Sequence, residues 1–113
     1  MAQIETWIDT DIKKGVAVTK LGGNMFRQDN QANKIGVRVY DDGSPVTLTG
    51  TISGKVIIPD GTTVTVAGTI SGNAAYIVLP SSVYANKGRI AVFIKNVVGS
   101  VVTTLAALEA TIM

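Results

Sequence analysis

Histidine and cysteine are absent from this 113-residue sequence, and only 16% of it is charged. These two absences remove whole classes of chemistry: the Ser-His-Asp triad, the cysteine nucleophile, zinc held by thiolate or imidazole, disulfides, and haem ligated by histidine. The charged fraction lies below the roughly 25% of ordinary soluble domains. With a mean hydropathy of +0.34, something other than charge must cover part of the surface. Ten Lys+Arg against eight Asp+Glu give a net charge of only +2, and no basic run exceeds Lys13-Lys14. That is too weak and too dispersed for a nucleic-acid partner. The opening MAQIETWIDTDIKKG carries acids where a secretory signal needs a basic start and an apolar stretch, so no leader is expected and synthesis is expected in the cytoplasm. The 26 uncharged residues between Asp60 and Lys87 are punctuated by Thr62, Gly68, Ser71, Gly72 and Pro80. They read as short strands and turns, not as a membrane span.

What is abundant is branching at Cβ. Fifteen Val, twelve Ile and thirteen Thr favour extended backbone, so the chain is expected to be all-β. Ile35, Val37 and Val39 alternate with Gly36, Arg38 and Tyr40 as in a half-buried strand. Asp41-Asp42-Gly43-Ser44-Pro45 turns the chain, and strands are expected over Val46–Leu48, Ile52–Ile58, Thr62–Ala67 and Ala74–Leu79. Pro80 ends the last of these and starts a single helical turn reaching Ala85. Arg89–Lys95 and Val101–Ile112 form a final hairpin. About seven strands with turns between them predict one domain, an Ig-like antiparallel β-sandwich over residues 34–113. The pentapeptide Gly50-Thr51-Ile52-Ser53-Gly54 recurs at 68–72, which reads as similar turns on neighbouring strands.

Residues 1–33 differ and are expected to form an extended N-terminal arm and loop that makes attachment and oligomer contacts. Ile4, Thr6, Ile8, Thr10 and Ile12 alternate as a strand. Residues 21–33 are amide-rich, with Met25-Phe26 set inside them, and two large apolar residues in a polar loop need a cover. Trp7, the only tryptophan, has little local core to join, and tryptophan is enriched where protein surfaces meet. Asp41, Asp42 and Asp60 occupy turns, where aspartate suits the backbone, so no carboxylate pair for acid–base catalysis is expected. Asp9-Thr10-Asp11 with Asp29-Asn30 could gather oxygen ligands, but a complete calcium loop is lacking. No cofactor and no metal are expected.

The run from Asp29 to Leu48, DNQANKIGVRVYDDGSPVTL, resembles the opening of phage baseplate-upper-protein N-terminal domains. It is still more similar to short head-fibre proteins of tailed phages that infect Gram-positive gut bacteria. Val56-Ile57-Ile58-Pro59-Asp60-Gly61-Thr62-Thr63-Val64, the stretch from Gly72 to Pro80, Tyr84-Ala85 and Gly88-Arg89-Ile90 follow the same plan. Glu5-Thr6-Trp7-Ile8-Asp9 and the run from Met25 to Asn30 resemble the head-fibre type. The resemblance covers nearly the whole chain and includes no catalytic signature. It implies a non-enzymatic module on the virion surface, typically trimeric, that docks to a capsid or baseplate protein through its N-terminal part. Trp7, Met25 and Phe26 would then be apolar contacts and Arg27 a hydrogen-bonding one. Two alternatives are a baseplate module that scaffolds receptor-binding proteins and a carbohydrate-binding β-sandwich. The latter usually displays several aromatics on one face, which a 5% aromatic content disfavours.

Overall fold

The computed structural model describes residues 4–13, 18–20 and 33–113. Among them lie ten strands: β1 (Ile4–Asp11), β2 (Val18–Lys20), β3 (Asn33–Asp41), β4 (Ser44–Pro45), β5 (Thr51–Ile57), β6 (Thr63–Ala67), β7 (Thr69–Ser71), β8 (Ala74–Val78), β9 (Gly88–Val98) and β10 (Val101–Ile112). One sheet runs β1-β3-β8-β7, with β4 on the end of β3. The other runs β2-β10-β9-β5-β6. The two stack as an all-β sandwich. Setting β3-β8-β7 against β10-β9-β5 reproduces the strand order of an immunoglobulin-like plan.

Period-two alternation aims one face of each strand inward. Ile35, Val37 and Val39 of β3 and Ala75 and Ile77 of β8 meet Ile52 and Val56 of β5, Ile90, Val92 and Ile94 of β9 and Leu108 and Ile112 of β10, all buried in one core. Each of the Val, Leu and Ile side chains contributes on the order of 1.5–3 kcal/mol from apolar burial. The expected helical turn is a 3-10 turn over Ser81–Tyr84. It drives Val83 and Tyr84, both fully buried, into the core between β8 and β9, and the Tyr84 hydroxyl accepts a hydrogen bond from Asn33 Nδ2 at 2.9 Å.

Residues 46–49 lie outside any strand, where a strand over Val46–Leu48 was expected. Val46 donates its amide to Val39 and Leu48 to Gly72, so the segment is tied to two different neighbours and builds no ladder with either. Two pairings are parallel, β1 with β3 and β2 with β10. A parallel pair needs a connection of a dozen or more residues, and residues 12–32 between β1 and β3 supply that length.

Both margins of the sandwich are bordered by chain that serves the two sheets in turn. On one side β6 pairs with β5, Gly68 donates its amide to the Ile52 carbonyl at 2.9 Å, and β7 then pairs with β8 in the other sheet. On the other side, β1 and β2 supply the outermost strand of one sheet each. A β-bulge at Thr104/Ala106 takes Leu105 out of the β9–β10 register, and the buried Thr10 hydroxyl of β1 donates to the Leu105 carbonyl at 2.9 Å. The irregularity in one sheet thus receives its partner from the other.

Candidate interaction site

The outward faces of the two sheets differ. On the β1-β3-β8 sheet, register places Trp7 beside Gly36 and Gly36 beside Tyr76. The half-buried indole covers Gly36 so closely that a Cβ there would overlap the ring, and this cover is what buries Gly36. Trp7 meets the Tyr76 ring edge-on, with centroids 6.2 Å apart and planes at 69°. The Arg38 guanidinium lies 4.7 Å from the Trp7 ring centre, and the Lys34 ammonium lies 4.5 Å from that of Tyr76. Trp7 Nε1 donates to the Glu5 carboxylate at 3.0 Å, and Asp9 lies 3.7 Å from Arg38. The aromatic surfaces are therefore flanked by the chain's own cations, each such contact contributing on the order of 0.5–1 kcal/mol at an exposed site.

At the end of β1, Asp11 ties the strand to the β3–β4 turn. Its carboxylate accepts the amides of Asp42 and Gly43, each at 3.0 Å, as well as that of Lys13. Asp42 holds a φ of 50°, a left-handed conformation that aspartate tolerates better than most residues. Asp60 caps its own turn by accepting the Thr62 amide at 2.8 Å. That backbone hydrogen bond, first, and the Thr62 side chain, second, hold its carboxyl below the usual carboxylate range.

The outward face of the other sheet is apolar and basic. Lys55, Ile57, Thr63, Phe93, Lys95 and Val102 line an open groove of about 420 Å³. At the β9–β10 hairpin Val98, Val101 and Val102 are 50%, 62% and 57% exposed. Among the described residues neither Lys55 nor Lys95 has a carboxylate partner: Lys55 donates to Thr65 at 3.1 Å, and Lys95 sits 6.0 Å from the Phe93 ring centre. No group of three Asp or Glu able to hold a metal ion occurs among the described residues.

Of the contact residues expected from sequence, Trp7 thus lies on the outward face of the first sheet, and the 1–33 segment enters both sheets through β1 and β2. Met25, Phe26 and Arg27 lie outside the described residues. Lys34, Arg38 and Tyr76 were not singled out as companions of Trp7. The available signal was Gly36, a glycine at an outward position in an otherwise regular strand, which marks a close approach by another group. Gly36→Val is expected to push the indole off the sheet. Because Trp7 is the only tryptophan, the result is a red-shifted fluorescence maximum with little change in far-UV circular dichroism. An unshifted spectrum would mean that the ring does not depend on this cradle.

No family model and no curated protein sequence matches the chain. Among solved structures it is similar to the N-terminal domain of phage TP901-1 ORF48, at 12% sequence identity and a TM-score of 0.55, over 98% of each chain. At that identity the likeness establishes a shared β-sandwich fold over essentially the whole of both chains.

Proposed function

We propose that the chain is a non-enzymatic structural protein of a phage virion, a head-fibre base or decoration protein fixed to the capsid surface and made in the host cytoplasm. The observation that carries this reading is the end-to-end match of its fold to a domain from a phage protein. The resemblance of its strand and turn motifs to head-fibre proteins supports the same reading. Its work is interface burial. Trp7, Met25, Phe26 and Arg27 contact the shell or a sister subunit, and the chain assembles as a homotrimer. The exposed valines of the β9–β10 hairpin and the Phe93 groove supply the kind of apolar surface that such assembly covers.

Immunogold labelling of particles of the phage that encodes the chain tests the assignment. Label on the capsid is expected. Label confined to the tail tip would replace this reading with a baseplate module, and unlabelled particles would remove the virion role. Light scattering of the purified protein should return three times the 11.8 kDa chain mass, and a monomer at micromolar concentration would remove the trimer.

A further inference from the structure

Among the described residues the outer edge of β1 has no partner strand, and it carries a charge pattern of its own. β1 has eight residues and, among the described residues, pairs only with β3. In a parallel ladder one residue turns both its N–H and its C=O to the partner strand and the next turns both away. The ladder continues at Ile12, whose amide donates to Tyr40 at 2.8 Å, so the even-numbered residues Thr6, Ile8 and Thr10 face β3. Glu5, Trp7 and Asp9 therefore direct their backbone groups outward along the edge. β1 contains no proline, no lysine and no bulge, so of the usual devices that keep an edge strand from pairing it has only its acidic side chains. The other outermost strands are shorter, three residues each in β2 and β7 and five in β6.

The side chains at those outward-bonding positions decide what can pair there. Glu5 and Asp9 are exposed on one face of β1, each beside a cation of β3, Lys34 and Arg38, on one side and open to an incoming strand on the other. A second copy of β1 packed antiparallel about Trp7 would oppose Glu5 to Asp9 twice, and like charges directly opposite are destabilising. A strand with Lys or Arg at the opposing positions gains two attractive pairs instead. On the inward face half-buried Ile8 presents apolar surface, so the alternate residues of the incoming strand are apolar. We propose that the β1 edge binds an extended segment of another protein, basic and apolar at alternate positions, as an added strand of the sheet. This deepens the assembly reading and rests on it only for the partner's origin in the same particle.

Trp7 sits on the proposed strand and reports on it. The full chain is titrated with an eight-residue peptide of alternating lysine and valine, and separately with its glutamate–valine counterpart. The lysine peptide is expected to shift Trp7 emission and to slow amide exchange at Glu5, Trp7 and Asp9, binding about tenfold more tightly than the glutamate peptide because of the two opposed pairs. The double variant E5K/D9K should reverse the preference, and E5Q/D9N, which adds no new charge, should abolish it. Equal affinity for the two peptides, no binding of either, or a preference unchanged in both variants overturns the proposal. So does slow exchange at Glu5, Trp7 and Asp9 in the free protein, since the edge would then already be occupied. No particle is involved, so failure here leaves the virion assignment standing, and unlabelled particles would leave this edge standing.

Discussion

Tyr84→Ala is expected to destabilise the sandwich by about 3–5 kcal/mol, which for a chain of this length lowers the melting temperature by roughly 12–20 °C. Tyr84 heads the fully buried side chains by volume, and from the end of the 3-10 turn that connects β8 to β9 it joins the one hydrophobic core. Truncation leaves a cavity walled by strands that are hydrogen-bonded to their neighbours and cannot collapse inward. It also strands the Asn33 amide, whose Nδ2 donates to the Tyr84 hydroxyl from a buried position. Tyr84→Phe separates the two effects: the ring stays, the acceptor goes, and the expected loss is about 1–3 kcal/mol for a buried donor left without a partner. Thermal or urea unfolding of the two variants measures both quantities. If Tyr84→Phe is indistinguishable from the native chain, the hydroxyl contributes nothing and Asn33 has found another acceptor.

Gly68→Val carries the second large effect, through packing and not through backbone conformation. Gly68 is not among the positive-φ glycines, so any residue could adopt its backbone angles. A Cβ at this position would, however, lie 2.8 Å from the Tyr76 carbonyl oxygen and 3.0 Å from Ile52 Cβ. Both obstacles belong to strands in the middle of their sheets, so the added atoms must move backbone. Overpacking of this kind costs about 1–3 kcal/mol, with valine costing more than alanine. The damage should be local in a recognisable way. Since the chain changes sheets at residue 68, amides of β6 and β7 should exchange faster than those of β9 and β10. Uniform acceleration would mean that the corner is not a separable element.

How much of this was legible depends on the distance in sequence between a cause and its effect. From β3 onward the elements can be read because each strand alternates and each ends at a residue that supplies its own stop, such as Pro80 before the 3-10 turn or Gly99 at the last hairpin. The alternation of Ile4, Thr6, Ile8 and Thr10 likewise shows that β1 is a strand. It does not show that its partner is β3 or that the pair is parallel, since local pattern carries no information about partner or direction. Trp7 has little local core to join for the same reason: its neighbours are Gly36, Arg38 and Tyr76, residues remote in the chain. The bulge at Thr104/Ala106 has a trace in the unbroken apolar run from Leu105 to Leu108, all buried, which strict alternation cannot produce. β7 had its trace in the repeated Gly-Thr-Ile-Ser-Gly, whose two copies each lead a strand in with an inward isoleucine, Ile52 in one sheet and Ile70 in the other.

The two parallel pairings also decide how the domain bears tension. When antiparallel neighbours are pulled from their adjacent ends, their hydrogen bonds break one at a time. Parallel neighbours pulled from opposite ends load every bond of the ladder together, in shear. A force drawing the first residues away from the last pulls β1 against β3 across eight paired positions and β2 against β10 across three. Neither end of the chain can be drawn out of its sheet without breaking such a ladder as a whole. A module fixed at one end to a particle and dragged at the other would therefore yield late, held by its outermost strands.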